Sequence, residues 1–288
     1  MNSDFNTTHW PLSIVDGIRI IKQSGERIVY DVSAKEGRFI IKIADPSKSE
    51  EKVIKDIQIL QFFEKVRYVA PRILPTLAGT PYVSHDNKFV YVMSYIDGNE
   101  PEKSAENYGQ LGKITANLHE LKGYFIPTDF TTTIEISRMI SRARKFDMEP
   151  LYEQLVTSLS DFEALPTCLI HTDIGVHNSI KQPDGQIILV DWDDAGIGTR
   201  ILDIGFPLIC DFVSNDLAFD KERAKAFYHS YCSLIELNET EKNQIFEAAL
   251  FYAMSYTIFD DSGIVEGQWK KVLYAIEHKN EIISVLPV

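Results

Sequence analysis

Leu169-Ile170-His171-Thr172-Asp173-Ile174-Gly175-Val176-His177-Asn178, followed after a short gap by Ile187-Ile188-Leu189-Val190-Asp191-Trp192-Asp193, decides how the chain reads. The run Ile187 to Val190 is wholly apolar and suits a buried strand. Ser179 to Lys181 leads toward it through Gln182-Pro183-Asp184-Gly185, a hairpin turn signal. Asp191 then stands just beyond a strand's end. With a two-residue Asp184-Gly185 loop, Asn178 faces Asp191; a three-residue Pro183-Asp184-Gly185 loop with a bulge shifts the register by one. In either case the two side chains are cross-strand neighbours, with Cβ atoms roughly 5 Å apart, and both oxygens can reach one cation. Magnesium takes hard oxygen ligands, usually one or two side chains plus phosphates and water, and an amide oxygen with a carboxylate meets that need. Asp173, in the loop before the strand, is placed to accept a proton from a substrate hydroxyl. Each of these residues alone reads as a turn or cap. HxDxxxxN, a hairpin and an apolar strand ending in DxD together spell a phosphoryl-transfer site.

These motifs resemble those of the aminoglycoside phosphotransferase-like kinases, a group that includes choline, homoserine and fructosamine kinases. The similarity runs through nearly the whole chain. It implies an α+β, bilobal protein-kinase-like fold: a small N-terminal antiparallel β-sheet lobe with one helix over residues 1–93, a hinge at 94–98, and a larger, mainly α-helical C-terminal lobe over 99–288. It also implies an enzyme that uses Mg2+ and ATP or GTP to phosphorylate a hydroxyl of a small molecule, such as an aminoglycoside-type antibiotic or an amino-alcohol or sugar metabolite.

The bulk numbers agree with a protein of that kind. At 288 residues and 44% hydrophobic, the chain can bury a sizeable core in one large domain or two lobes. No apolar run approaches the roughly 20 residues of a membrane span, and the first residues lack the pattern of a signal peptide, so a soluble cytoplasmic protein is expected. Cys168, Cys210 and Cys232 are odd in number and scattered, which argues against a disulfide framework or a zinc site. A net charge of −13 argues against nucleic acid as a partner and is compatible with a cationic substrate.

Along the chain, Ile18 to Ile21, Ile28 to Val32 and Phe39 to Ile43 read as strands of an antiparallel sheet. Gly25 lies in the tip between the first two, where the resembling family covers the nucleotide phosphates, although a full GxGxxG is absent. Lys42 alternates with Ile41 and Ile43 and so faces away from them. The resemblance makes it the lysine that contacts the nucleotide phosphates. A helix is expected over about Lys52 to Val66, with Ile54, Ile57, Leu60 and Phe63 on its buried stripe. There the family carries a glutamate that pairs with the strand lysine. This chain has Asp56, one methylene shorter, so either Asp56 or one of Glu50 and Glu51 is left for the pairing. Thr80 to Val83 and Phe89 to Met93 read as another hairpin, and Ser94, Tyr95 and Ile96 correspond to the hinge whose backbone meets the base.

Tyr108, Leu111, Thr115 and Leu118 recur at helical spacing up to a C-cap at Gly123. His119 on this helix reads as a packing residue. Phe130 to Phe162 reads as helices with Arg142-Ala143-Arg144-Lys145 on a solvated face. Thr240 to Asp260 reads as a long amphipathic helix, with Ile245, Ala249, Tyr252 and Tyr256 on one stripe. Such a stripe is ordinarily core, but similar kinases draw the acceptor pocket from C-terminal helices, which makes Tyr252, Tyr256, Asp260 and Asp261 candidates for the acceptor.

By the same resemblance Asp173 orients the acceptor hydroxyl, Asn178 and Asp191 hold the metal, and Asp193 supports Asp191 or shares a second cation. His171 and Asp203 hold the shape of the catalytic loop. Thr172 stands where the family usually has glycine, and its β-branching narrows the backbone there. Asp191-Trp192-Asp193 in place of Asp-Phe-Gly, with no Gly-rich loop or Ala-Pro-Glu, favours a small-molecule kinase over a protein kinase. A protein Ser/Thr kinase on this scaffold and a non-catalytic nucleotide-binding module are the alternatives.

Overall fold

A computed structural model describes residues 7–24, 26–86, 88–258 and 263–286. Gly25, Asp260 and Asp261 lie outside the described residues. The chain forms two compact units, Met1–Asn99 with Gln182–Asp193, and Glu100–Lys181 with Asp194–Val288.

In the first unit, β1 (Ile14–Ser24), β2 (Arg27–Ala34), β3 (Gly37–Ile43), β4 (Ile73–Leu74), β5 (Val83–His85) and β6 (Lys88–Ser94) form one sheet in the order β1-β2-β3-β6-β4, with β5 on β6. The period of two sorts the sheet's faces. Ile41 and Ile43 of β3 join Trp10, Ile28, Tyr30, Val32, Val90 and Val92 in one core. Lys42, between them, points the other way and has Tyr91 as its cross-strand partner. Tyr91 belongs to a second cluster, with Ala44, Val53 and Ile57.

The last two bring in helix α1 (Glu50–Val66). Ser49 caps its N-terminus by accepting from the Lys52 amide, Glu50 and Glu51 suit the positive end of the dipole, and Arg67 closes it in a left-handed conformation. The buried face is Val53, Asp56, Ile57, Ile59, Leu60 and Phe63. Ile54, expected on that face, is only half-buried, because the face is turned so that Asp56 enters it. Thr80 to Tyr82 is not a strand: Thr80 closes a turn on Thr76 through Thr76 N–H to Thr80 O (2.8 Å), and pairing begins at Val83.

The expected hairpin loop is the three-residue alternative. Gln182 N–H donates to Gln186 O at 2.8 Å, Gly185 N–H donates to Gln182 O at 2.9 Å, and Gly185 takes φ +89°. Only glycine adopts that conformation without a Cβ penalty.

In the second unit, α2 (Ala105–His119), α3 (Thr132–Lys145) and α4 (Pro150–Ser158) precede β7 (Thr167–Ile170) and β8 (Ser179–Lys181). After β9 (Ile187–Leu189) of the first unit come β10 (Gly196–Thr199), antiparallel to β7, and α5 (Arg200–Cys210), α6 (Lys221–Cys232), α7 (Glu239–Thr257), α8 (Glu266–Glu277) and α9 (Lys279–Ile283). α2 packs on α6 at Gly112, where a Cβ would fall on the Phe227 carbonyl, and α5 packs on α7 at Gly205, whose Cβ would lie 2.7 Å from Ala248 Cβ.

Three expectations change here. α2 ends at His119 with Glu120 as its cap, short of Gly123, because Glu120 N–H already closes on Ala116 O. Of the Arg142 to Lys145 cluster, Arg144 and Lys145 are exposed as expected, but Arg142 is half-buried and donates to Ile258 O at 2.9 Å, and Ala143 is buried. α7 is buried on nearly every side in its second half, from Ala248 through Met254, rather than along one stripe. No helix among the described residues is long and apolar enough to cross a membrane.

Candidate active site

In the first unit the carboxylates of Asp191 and Asp193 sit among cations. Lys42 Nζ donates to Asp193 and, at 3.2 Å, to Asp191. Arg27 Nη2 donates to both oxygens of Asp191, at 2.8 and 3.1 Å, and Lys22 Nζ donates to Asp191 at 3.2 Å. Lys48 lies 3.4 Å from Asp193 and donates to Asp56. The aspartates keep 23% and 19% of their side chains exposed. Trp192 between them anchors the segment: it is buried, meets Phe63 of α1 with ring centroids 4.5 Å apart, and donates Nε1 to Leu189 O.

Burial alone would push Asp191 up, but Lys42, Arg27 and Lys22 hold it far below the usual carboxylate range. Burial likewise opposes the charge on Lys42, and Asp193, Tyr91 and Asp191 overcome it, raising the ammonium well above its ordinary value. Asp56 is pushed up to about 7, by its own burial and then by the charge of Asp193.

In the second unit the loop after β7 is held by Asp203, fully buried on α5. Its Oδ2 accepts from the His171 amide (2.8 Å), and its Oδ1 from the Thr172 amide (2.6 Å). His119 Nε2 meets Oδ2 at 3.0 Å, while its Nδ1 is 2.8 Å from the Tyr231 hydroxyl. Past this brace, Asn178 Nδ2 donates to Asp173 Oδ2 (2.7 Å) and to Asp173 O (3.1 Å), and His177 Nε2 lies 3.1 Å from Asp173 Oδ1. Asp173 remains 34% exposed. Burial would raise its pKa, but the hydrogen bond and charge of His177, with His171 and Asn178, set it below the ordinary value. His177 moves the other way: burial opposes its charge, and Asp173 and Asp211 raise it. Phe206 packs beside His177 (5.9 Å), Tyr252 (5.3 Å) and Tyr256 (6.0 Å), so an aromatic wall adjoins the Asp173 pair.

A sequence model described as the phosphotransferase enzyme family, APH, matches residues 18–240, a span that takes in Lys42, Asp173, Asn178, Asp191 and Asp203. The chain belongs to the APH phosphotransferase family. As a member it is a small-molecule phosphotransferase with an alcohol group as acceptor. Among proteins of curated function, none matches the chain.

Several solved structures share the APH fold. Amicoumacin kinase hAmiN, in complex with AMP-PNP, Ca2+ and Ami, is 15% identical over 95% of this chain and 90% of its own, with a TM-score of 0.67. The microcompartment-associated aminopropanol kinase is 18% identical over 96% of both chains (TM-score 0.64). The aminoglycoside phosphotransferase from Alicyclobacillus acidocaldarius subsp. acidocaldarius DSM 446 is 17% identical over 96% of this chain and 92% of its own (TM-score 0.64).

Within this APH chain the structure brings the sequence-derived residues into two groups. Lys42, Asp191 and Asp193 meet in the first unit; Asp173, Asn178, His171 and Asp203 meet in the second. The pairing of Lys42 with Asp56, Glu50 or Glu51 is corrected. Lys42 takes Asp193 and Asp191, Asp56 takes Lys48, and Glu50 accepts from the Tyr82 hydroxyl at 2.6 Å. The shorter Asp56 leaves the strand lysine to the DxD segment. At the hinge, Ser94 N–H donates to Arg72 O and Tyr95 N–H to Arg38 O. The Tyr95 ring lies 3.7 Å under the Arg38 guanidinium, which Asp31 grips through both oxygens. Tyr252 is buried and Tyr256 half-buried.

Sequence reasoning missed Arg27, Lys22, Lys48 and His177. His177 had a signal, four residues after Asp173 inside the motif. His119, read as packing, is a member of the Asp203 network.

Proposed function

We propose that this phosphotransferase moves the γ-phosphate of ATP or GTP, taken as its magnesium complex, to a hydroxyl of a small cationic acceptor, of the aminoglycoside or amino-alcohol type. The observation that carries the reading is Asp173: an accessible carboxylate whose two oxygens are each fixed by a neighbour and whose pKa is held low, so that it is ionised at neutral pH. Asp173 orients the acceptor O–H and takes its proton. The acceptor oxygen forms the new bond to phosphorus, and the bond to the bridging oxygen breaks, releasing the nucleoside diphosphate.

Lys42 neutralises the phosphates, and of the hinge amides Ile96 N–H is the donor for the base, since those of Ser94 and Tyr95 are already committed. The donor set suits magnesium. Asp191 and Asp193 offer hard oxygens, and an ion held by them would complete its shell with phosphate and water. Asn178, its Nδ2 bound to Asp173, keeps its amide oxygen as a metal ligand by family resemblance. Bound there, magnesium would neutralise charge developing on the phosphates.

The half-buried ring of Tyr256, packed on Phe206, and an ionised Asp173 support a cationic acceptor, because ring faces and carboxylates both favour ammonium groups. Related folds include an aminopropanol kinase and aminoglycoside phosphotransferases. The free thiols of Cys168, Cys210 and Cys232 support a reducing, cytoplasmic location.

The test is a phosphate-transfer screen over aminoglycosides, amino alcohols, sugars and protein acceptors, followed by two variants on the best acceptor. Asp173→Asn should lower kcat by about 10²- to 10⁴-fold while nucleotide affinity stays within about threefold. Asp191→Ala should abolish magnesium-dependent turnover. Near-full turnover by Asp173→Asn at saturating substrates would overturn the assignment.

A further inference from the structure

We infer that Arg27, supported by Lys22, is a second holder of the nucleotide's terminal phosphates, so that side-chain cations of the β1–β2 hairpin take the place of a glycine-rich backbone cradle. The inference rests on the nucleotide-dependent reading above and adds to it residues that the sequence motifs did not mark.

The first support is electrostatic. Four cations, Lys22, Arg27, Lys42 and Lys48, stand in direct contact with three carboxylates, Asp56, Asp191 and Asp193. In a chain of net charge −13, a cluster in which cations outnumber carboxylates suits an anion. The three carboxylates do not use it up.

The second support is an unsatisfied donor. Arg27 spends Nη2 on Asp191 and lies 3.5 Å from Asp193, while its Nε is buried and has no hydrogen-bond partner. A guanidinium presents its donors as a planar fork that matches two phosphate oxygens, and a buried donor without a partner is costly enough to need one. The side chain is 26% exposed, so a ligand can reach it. Lys22, 58% exposed on the neighbouring strand, follows it to Asp191.

The third support is what the hairpin lacks. The sequence around its tip, Ser24-Gly25-Glu26-Arg27, carries no GxGxxG pattern. Arg27 opens β2 directly after that tip, opposite Ser24. With magnesium held at Asp191, Arg27 and Lys22 would exchange that carboxylate for phosphate oxygens.

Binding rather than turnover tests this. ATP, ADP, adenosine and inorganic tripolyphosphate are titrated calorimetrically into the full-length wild type, Arg27→Gln, Arg27→Lys and Lys22→Gln. Arg27→Gln should weaken ATP about tenfold or more and leave adenosine within about twofold. Arg27→Lys should recover part of the loss, and tripolyphosphate should compete with ATP in the wild type and fail to do so in Arg27→Gln. Lys22→Gln, at an exposed position that leaves folding intact, should shift the ATP-to-adenosine ratio in the same direction by about threefold. An unchanged ATP affinity in Arg27→Gln, or an equal loss for ATP and adenosine, would overturn the inference. If Arg27→Gln does not fold, an unchanged ratio in Lys22→Gln does so. A wild type that binds neither ATP nor tripolyphosphate would remove the nucleotide reading itself, and this inference with it.

Discussion

Thr172 and Asp191 both sit in the left-handed region, at φ +75° and +64°, where a side chain with a Cβ pays about 1–2 kcal/mol. Thr172 is held there because its amide donates to Asp203, a bond made to a buried charge and therefore among the stronger ones. That turn delivers the next residue, Asp173, to His177 and Asn178. The Asp173–His177 pair sets a window of pH. His177 has its folded pKa raised above 6.5, so its contribution to stability is complete below about 6.5 and is lost as pH rises through the raised value. Asp173 is depressed below 3.8, so its contribution is present above about 3.8 and is lost as pH falls through the lowered value. His177→Gln should therefore flatten the decline of the thermal midpoint on the alkaline side. Melting curves from about pH 5.5 to 9 check this, and a difference between variant and wild type that does not change with pH would refute it.

Elements here approach one another through missing side chains. α2 and α6 meet at Gly112, where a Cβ would strike the Phe227 carbonyl, a backbone atom that cannot swing aside. Helix propensity predicts that Gly112→Ala stabilises α2 by about 0.5–1 kcal/mol. Packing predicts a loss of about 1–3 kcal/mol, because overfilling a close contact shifts backbone. The second effect should win, and denaturant melting gives the sign directly. The same reasoning explains why α7 did not read correctly as an amphipathic helix. Its second half lies under α5, α8 and α3, so apolar residues run around it and the expected one-sided stripe disappears.

Over the whole molecule, a charge of −13 places self-repulsion and phosphate binding in opposition. Salt screens both: the Debye length falls from about 30 Å at 0.01 M to about 3 Å at 1 M. Raising sodium chloride should relieve repulsion and raise the thermal midpoint, while weakening binding of the nucleotide proposed to sit on Lys22, Arg27 and Lys42. Calorimetry for binding and melting for stability should thus move in opposite senses. A midpoint that falls with salt would show that ion pairs such as Arg200 with Glu241 (2.6 Å) outweigh the global repulsion.

The sequence alone determined the family and the antiparallel sheet followed by helices, because the motif from His171 to Asn178 is local and period two or 3.6 is written in the order of residues. It left open two forms of the hairpin loop, and the three-residue form is fixed by the bond from Gln182 N–H to Gln186 O. Only the tertiary structure decided who pairs with whom. Lys42 went to the DxD segment and Asp56 to Lys48, Arg27 and Lys22 closed on Asp191 from positions more than 160 residues away, and His119 reached Asp203 across 84. A side chain's long-range partner depends on the distance left after whole elements have packed, a quantity that no local pattern of residue types carries.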